Sequence, residues 1–111
     1  MKLEVGMYCY NKTNRKLGIG KIINFQRNNN VNIRYKNDIE LVSIGNVIAN
    51  NEIISLIEVG DYINGLPVRF VEEDRVDIGQ AEDYFWLKNQ HIKSIVTKEQ
   101  MEAMEYKVAD K

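Results

Sequence analysis

Aromatic and basic side chains that could bind a nucleotide are interleaved in the first half of the chain. Aromatic rings offer a stacking face to a nucleobase, and Arg and Lys side chains hold phosphate groups. The predicted ligand-binding residues are Tyr10, Arg15, Lys21, Arg34 and Tyr35. A second interpretation, in which the tyrosines are core or rim packing, stays open at this point.

A second aromatic block, Tyr84-Phe85-Trp86, lies in the second half. Alternation along a strand would place Tyr84 and Trp86 on one face and Phe85 on the other. One face of such a strand belongs to the core, and exposed aromatic side chains on a small protein commonly mark a partner surface. We therefore predict that Tyr84 and Trp86 are interface residues.

Residues suited to catalysis or metal binding do not form a complete motif. The single cysteine, Cys9, and the single histidine, His91, could pair as nucleophile and base, but Cys9 lies between two tyrosines on a predicted strand, which favours a buried structural thiol. Residues 18–21 lack the later glycine and the Lys-Ser/Thr ending of a phosphate loop. The acidic run lacks the spacing of a calcium loop: Glu72, Glu73, Asp74 and Asp77. We predict no enzyme activity, no metal site and no cofactor.

Charge divides the chain of 111 residues into unlike halves, although the net charge is only -1. Residues 1–56 carry eight Lys and Arg against four acidic residues, and residues 57–111 carry seven against twelve. A sequence-independent DNA binder usually shows a basic excess over its whole domain, because phosphate neutralisation dominates its affinity. Nucleic acid is therefore an unfavoured partner, and no apolar stretch is long enough to predict a membrane span or a signal peptide.

The elements that must position these residues are predicted to be short strands arranged in an internal repeat. The sequence LEVGMY at 3–8 returns as IEVGDY at 57–62, and a second echo relates residues 54–57 to residues 93–96. Asparagine runs and Asn64-Gly65 predict tight turns between alternating segments. The run at residues 28–30 predicts a β-hairpin, and beyond it Asn32 and Arg34 are predicted to share one face of the strand, opposite Val31, Ile33 and Tyr35. Thr97 and Gln100 form a capping-box pattern that begins a short helix, and residues 106–108 are predicted to return to extended structure.

The predicted fold class is therefore mostly β. We expect two small, strongly bent sheets or barrels of the tudor or KOW type, related by the repeat, and one short C-terminal helix near residues 98–104. The predicted domains are a basic unit at residues 1–56 and an acidic unit at residues 57–111. These two units are called the first half and the second half below.

Three separated blocks carry a resemblance to a family of small phage and prophage proteins from clostridia and related low-GC Gram-positive bacteria. The blocks are residues 1–8, residues 56–65 and residues 92–108. The resemblance implies a phage-encoded accessory protein that acts in the cytoplasm of the host bacterium. It implies no catalytic residues.

Three functions are compatible with this sequence and context. The first is a sponge, a homo-oligomeric protein that sequesters a nucleotide-derived host immune signal without catalysis. The second is a protein inhibitor of a host defence effector such as a CRISPR nuclease, acting through the acidic half or the Tyr84-Phe85-Trp86 block. The third is a small-barrel module on nucleic acid or the transcription machinery, against which the overall charge argues. The sponge is the preferred prediction.

Overall fold

A computed structural model describes residues 2–80 and 83–104 of the chain. Five strands of the first half form one antiparallel sheet, in which β1 lies between β2 and β5 and the order is β4-β3-β2-β1-β5. The strands are β1 (Tyr8–Asn11), β2 (Gly20–Gln26), β3 (Asn30–Arg34), β4 (Ile39–Ser43) and β5 (Val47–Asn50). Three short 3-10 helices of this half are Arg15–Leu17, Ile44–Asn46 and Ile53–Leu56.

The hairpin of β2 and β3 depends on the asparagines between them. Asn28 and Asn29 adopt φ values of 64° and 59°. Asparagine tolerates this left-handed region better than other residues with a side chain, so the run supplies the turn. The predicted hairpin is confirmed by the pairing of Gln26 with Asn30 and of Phe25 with Val31.

The second half consists of two-residue strands in two antiparallel sheets, ordered β10-β9-β8 and β11-β6-β7. The strands are β6 (Tyr62–Ile63), β7 (Leu66–Pro67), β8 (Phe70–Val71), β9 (Val76–Asp77), β10 (Trp86–Leu87) and β11 (Ile95–Val96). A 3-10 helix at Asn89–His91 precedes β11. Asn64 and Gly65 form the predicted turn with φ values of 52° and 89°, and Pro67 lies on an edge strand, where its missing N–H costs no ladder hydrogen bond.

The two halves pair their strands in the same order. β6 pairs with β7 and β11, as β1 pairs with β2 and β5. β9 pairs with β8 and β10, as β3 pairs with β2 and β4. The segments β7 and β8 occupy the place of the single strand β2, interrupted at Val68 and Arg69. In both halves a 3-10 helix separates the fourth strand position from the last.

The turn that opens each half has the same backbone hydrogen bonds. Gly6 and Gly60 have φ values of 95° and 99°, a conformation that only glycine adopts without strain. The Gly6 N–H donates to Ile22 O at 2.8 Å, and the Gly60 N–H donates to Val68 O at 3.0 Å. The first sequence echo therefore corresponds to one local geometry that occurs twice.

Two of the sequence expectations need correction. Among residues 2–80 and 83–104 none of the three sheets closes on itself, so the predicted barrels are open sheets. The second sequence echo does not correspond to a shared structure, because residues 54–57 begin within a 3-10 helix whereas Ile95–Val96 is a strand. The structure places that strand opposite β6, in the position that β5 takes opposite β1. The mostly β fold with one short C-terminal helix is confirmed.

The apolar side chains form two separate clusters. The first contains Met7, Cys9, Ile22, Val31, Ile33, Tyr35, Val42 and Val47. The second contains Ile54, Ile57, Ile63, Val68, Val76, Ile78 and Leu87. Each cluster lies within one half except that Ile54, before the predicted boundary, packs into the second. The boundary between residues 56 and 57 stays a prediction.

The helix α1 (Lys98–Met104) begins at the predicted capping box. The Gln100 N–H donates to Thr97 Oγ1 at 3.0 Å, and the Thr97 N–H donates to Gln100 Oε1 at 2.8 Å, which satisfies two N–H groups at the helix start. The predicted extended segment at residues 106–108 lies outside the described residues. No helix in the described part of the chain is long and apolar enough to cross a membrane.

Candidate functional site

Lys21 and Arg34 lie directly opposite each other on β2 and β3. Both side chains are exposed, whereas the neighbouring Ile22 and Ile33 are buried at 1% and 0% exposure. The alternation predicted for residues 31–35 is therefore confirmed, with Arg34 facing out and Ile33 facing in. The sheet brings two cations together that are separated by 13 positions in the chain.

Gly20 allows this close pairing. A Cβ atom at Gly20 would collide with the backbone carbonyl oxygen of Arg34, so any larger residue would push β2 away from β3. The glycine that precedes Lys21 is thus required by packing at the site itself. Beside it, Lys21 Nζ lies 4.9 Å from the ring centroid of Tyr8, within the range of a cation–π contact.

Three adjoining grooves meet at Tyr35 and Lys36. One of about 320 Å³ includes Tyr8, Lys21 and Arg34 among its walls. A second, of about 500 Å³, extends from Arg34 to Ile39. The third, of about 510 Å³, runs between the halves and is lined by Lys16, Leu17, Ile19, Tyr35, Lys36, Asn37, Asp38, Ser94, Ile95, Val96, Gln100 and Met104. Together they are called the basic groove.

Four cations line the basic groove without a carboxylate of their own: Lys16, Lys21, Arg34 and Lys36. None of them takes part in an ion pair with another described residue, and all four are exposed. Asp38 is the one acidic residue among the described walls. The groove therefore carries an excess of positive charge that can attract a phosphate or carboxylate group.

Tyr35, another predicted ligand-binding residue, contributes mainly to the core. Its side chain is only 6% exposed, and its hydroxyl donates to Glu40 Oε1 at 2.8 Å. Burial, reinforced by the negative charge of Glu40, raises the pKa of Tyr35 far above its ordinary value. The ring packs inward while the backbone around it lines the groove.

Arg15 is buried at the junction of the two halves, with 7% of its surface exposed. Its Nη1 and Nη2 donate to the two carboxylate oxygens of Asp61 at 3.0 and 3.1 Å, in a bidentate ion pair. Nη1 also donates to Glu99 Oε1 at 2.9 Å, and Nη2 donates to Leu56 O at 3.2 Å. These partners come from the 3-10 helix Ile53–Leu56, from the residue that precedes β6 and from α1, so the guanidinium connects three segments.

The same junction engages the backbone of Arg15 and the ring of Tyr10. Thr97 Oγ1 donates to Arg15 O at 2.8 Å, and the Arg15 guanidinium lies 4.5 Å from the centroid of Tyr10. The Tyr10 hydroxyl donates to Glu58 Oε2 at 3.5 Å. Burial, together with the charge of Glu58, raises the pKa of Tyr10. Of the five predicted ligand-binding residues, the structure brings Tyr10 and Arg15 to this junction and the other three to the basic groove.

The predicted interface residues lie in a ladder of rings at the surface, in which Tyr84 is exposed and Trp86 is half-buried. The Tyr84 and Trp86 rings are stacked, with centroids 5.9 Å apart and planes within 5°, and Phe70 lies 6.0 Å from Tyr84. Tyr84 is 63% exposed and Phe70 48%. A groove of about 490 Å³ runs along this ladder and is lined by Val59, Phe70, Val71, Glu72, Tyr84 and Trp86. These six residues are called the aromatic surface.

Two arginines lie against the rings of the aromatic surface. Arg75 lies 4.1 Å from the Trp86 centroid, and Arg69 lies 5.5 Å from that of Tyr84. Each is also held by an acid, since Arg75 Nε contacts Glu72 Oε1 at 2.7 Å and Arg69 Nη2 contacts Asp77 Oδ2 at 2.9 Å. Sequence reasoning missed Phe70 and both arginines, because only the register of three strands places them beside Tyr84.

Asp77 is a fully buried carboxylate beneath this surface. Burial alone would raise its pKa, but N–H groups of Phe85 and Gly79 donate to Oδ1 at 2.7 and 2.9 Å and Arg69 adds a positive charge, so the pKa of Asp77 lies below its ordinary value. The carboxylate therefore positions Arg69 and the loop that leads to Tyr84.

Cys9 and His91, the pair considered for nucleophilic catalysis, have unlike surroundings. Cys9 is completely buried in the first cluster, and burial raises the pKa of its thiol to about 12. His91 is exposed, and its Nδ1 accepts the Lys88 N–H at 3.1 Å. Across residues 2–80 and 83–104, no group of three or more His, Cys, Asp or Glu side chains is placed to hold a metal ion.

Comparison with known proteins leaves the geometry as the guide to function. No protein-family model, no curated protein and no solved structure matches this chain.

Proposed function

We propose that the protein is a phage-encoded, non-catalytic binding protein that sequesters a nucleotide-derived immune signal in the cytoplasm of the host bacterium. The observation that carries this proposal is the basic groove, where Lys21 and Arg34 lie opposite each other and neither forms an ion pair with a described residue. The phage context comes from the sequence resemblance alone.

The like charges of Lys21 and Arg34 favour an anionic ligand. Like charges directly opposite on neighbouring strands destabilise a sheet by a few tenths of a kcal/mol or more. A phosphate group bound between them would convert this repulsion into two charge-assisted hydrogen bonds. Binding of a phosphate would thus account for the placement of two like charges opposite each other.

The neighbouring groups suit the remainder of a nucleotide. Tyr8 is partly exposed beside Lys21 and offers a ring on which a base can stack. Lys36 and Lys16 continue the positive charge toward α1, as a ligand with more than one phosphate would require. The groove volumes, about 320 to 510 Å³, lie in the range of small-molecule sites.

Arg15 and Tyr10 are left out of this proposed site. The Tyr10 hydroxyl and both terminal nitrogens of Arg15 already have partners within the chain, and Arg15 is buried. The proposed contacting residues are therefore Tyr8, Lys16, Lys21, Arg34 and Lys36. We propose that a homo-oligomer completes the enclosure of the ligand, because the grooves of one subunit are open.

Native mass spectrometry of the purified protein tests the proposal directly. The protein would be measured alone and after mixing with cyclic oligonucleotides, cyclic ADP-ribose relatives and NAD-derived signals. A multimer that retains an intact nucleotide would support the sponge and identify the ligand class. Conversion of the nucleotide into products would refute the non-catalytic role, and an empty monomer across the panel would refute the sponge.

Charge reversal locates the site once a ligand is found. Arg34→Glu and Lys21→Glu should each weaken binding at least about tenfold, since each removes a charge-assisted contact and adds repulsion. Arg27→Glu is the matched control, because Arg27 is an exposed arginine of the first half that lines none of the grooves. Equal losses in Arg27→Glu and Arg34→Glu would mean that only general electrostatic attraction is measured.

A second candidate function is favoured by the aromatic surface. A ladder of three rings, of which Phe70 and Tyr84 are exposed, with a groove of about 490 Å³ suits the docking of another protein, as an inhibitor of a host defence effector such as a CRISPR nuclease would require. Co-purification of the tagged protein with such an effector, lost in Tyr84→Ala, would support this candidate. The nucleic-acid module remains the third candidate, and the acidic second half argues against it.

We also propose that the two halves arose by duplication of one small β unit of the tudor or KOW type. The support is the shared order of strand pairing and the repeated Gly6 and Gly60 turns. A chain of residues 1–56 that folds without the second half would strengthen this proposal.

A further inference from the structure

We infer that the aromatic surface docks a cationic, arginine-bearing segment of a partner protein. This inference concerns a surface separate from the basic groove and names the chemistry of the partner that the second candidate function would need. It requires no particular ligand in the groove. The experiment that tests it therefore measures binding at the aromatic surface only.

The first argument is that these rings already accept guanidinium groups. Arg75 lies 4.1 Å from the centroid of Trp86, and Arg69 lies within 5.7 Å of Phe70. Aromatic faces attract cations through their quadrupole, and the planar guanidinium also stacks on them. Tyr84, at the middle of the ladder, remains 63% exposed. A guanidinium group from a partner can therefore contact the exposed part of the Tyr84 ring.

The second argument is the charge around the ladder. Arg75 is held by Glu72 and Arg69 by Asp77, so neither arginine gives the surface a net positive charge. Three further exposed acids adjoin this surface in the chain, Glu73 next to Glu72, Asp74 next to Arg75 and Asp83 next to Tyr84, and none of them forms an ion pair with a described residue. The segments that flank the surface therefore carry an excess of negative charge, which is called the negative rim.

A negative rim selects between the two usual occupants of an exposed aromatic ladder. A single-stranded nucleic acid would stack its bases on the rings but bring its phosphates against Glu73 and Asp74. A cationic peptide gains from both features, because its charges face the acids and its guanidinium groups face the rings. Charge complementarity thus assigns the surface to a basic protein segment.

Fluorescence titration of the full chain tests this inference, because Trp86 is the single tryptophan and lies in the surface. The probes are capped hexa-arginine, hexa-lysine and hexa-glutamate peptides and an oligothymidylate strand. We expect hexa-arginine to change the Trp86 emission saturably, hexa-lysine to bind more weakly, and the two anionic probes to have no effect. Added salt should weaken the binding of the arginine peptide.

Variants show whether the rings and the acids both contribute. Tyr84→Ala should weaken binding of hexa-arginine about fivefold, the amount expected from one exposed cation–π contact. The double reversal Glu73→Lys with Asp74→Lys should weaken it at least about tenfold. Glu102→Lys, an exposed acid on α1, is the matched control and should bind within about twofold of the unmodified protein.

Three outcomes would overturn the inference. An emission change with oligothymidylate but not with hexa-arginine would assign the surface to nucleic acid. A change with protein concentration alone would mean that a second copy covers it. If Glu102→Lys, which makes half the change in charge, weakens binding by half as much on a logarithmic scale as the double reversal, the effect is one of net charge only. Arg34→Glu should bind the peptide normally, so that failure here is distinguishable from failure of the basic groove.

Discussion

The two halves share one order of strand pairing but present opposite chemistry on corresponding rows of their sheets. In the first half the cross-strand row beside Val31 and Val42 contains Asn24, Asn32 and Leu41. In the second half the row beside Val76 and Leu87 contains Phe70, Asp77 and Trp86. The buried rows are alike because both must fill a core. The neighbouring rows differ: the first half has two amides there, whereas the second half has two aromatic rings on either side of the fully buried Asp77.

The same comparison explains how the halves are joined. Met7 and Asp61 occupy corresponding positions, since the Met7 N–H donates to Glu4 O and the Asp61 N–H donates to Glu58 O. Met7 packs into the first cluster, whereas Asp61 holds Arg15 from the other half. Arg15 lies in the longer β1–β2 connection of the first half, whose counterpart in the second half is the Asn64-Gly65 turn. The side chain of Asp61 and the longer β1–β2 connection that carries Arg15 thus join two similar units at one defined contact.

The largest effect on stability is expected for Asp61→Met, which introduces the residue found at the corresponding position 7 of the first half. Asp61→Met leaves the buried Arg15 without its bidentate partner, and the N–H groups of Glu58 and Lys98 lose their acceptor. The free energy of unfolding should fall by about 3–5 kcal/mol, the range for breaking a buried ion pair. Urea unfolding followed by circular dichroism measures this loss.

A double variant separates the ion pair from simple packing. Arg15→Leu combined with Asp61→Met replaces both charges by apolar groups and should recover a large part of the loss. Lys12→Leu, an exposed site in the same connection, should change stability by less than about 0.5 kcal/mol. If the two single losses simply add in the double variant, Arg15 and Asp61 do not act as a pair.

Acid should weaken the second half through Asp77, for which the first half has the neutral Asn32. The folded pKa of Asp77 lies below the value of about 3.9 for an unfolded chain, so its stabilising effect is present above that pH and is lost as the pH falls through the folded pKa. The difference in Tm between the unmodified protein and Asp77→Asn should therefore shrink below about pH 4. Trp86, paired opposite Asp77, reports the transition by fluorescence.

A matched variant checks the origin of this acid dependence. Asp74→Asn removes an exposed carboxylate without an ion pair to any described residue and should follow the unmodified protein at every pH. A Tm difference for Asp77→Asn that is constant from neutral to acid pH would contradict the role given to its ionised form.

The smallest effect on stability is expected at Lys21 and Arg34, the two cations that lie opposite each other in the first half. Arg34→Gln removes a like charge opposite Lys21 and should raise the free energy of unfolding by about 0.3 kcal/mol, whereas Arg27→Gln should leave it unchanged. Inorganic phosphate should stabilise the unmodified protein and so reduce or reverse this gain. Urea unfolding with and without phosphate gives both values. A loss of stability in Arg34→Gln without phosphate would show that the like charges of Lys21 and Arg34 do not destabilise the sheet.

Sequence reasoning predicted the features that depend on neighbouring residues. The Asn28 and Asn64 turns follow from side chains that tolerate positive φ, and the start of α1 follows from Thr97 and Gln100 three positions apart. The outward position of Arg34 follows from strict alternation. Each of these outcomes is decided within a few residues of chain.

Features that depend on distant partners were not predictable in the same way. The burial of Arg15 requires Asp61 and Glu99, at separations of 46 and 84 residues, and nothing near Arg15 indicates either. The second sequence echo was misleading because similarity of a few apolar residues does not distinguish a 3-10 helix from a strand. Phe70 joined the aromatic surface only through its register with β9 and β10.

The long separations at the Arg15 junction set an order of events during synthesis. The strands of the first half can pair as soon as they leave the ribosome, but Arg15 meets Asp61 only after 46 more residues and Glu99 only after 84. Until then its guanidinium must stay hydrated, since a buried charge without a partner is unstable. Closure of the junction is thus a late step of folding, and translation of the C-terminal helix completes a contact that begins near the N-terminus.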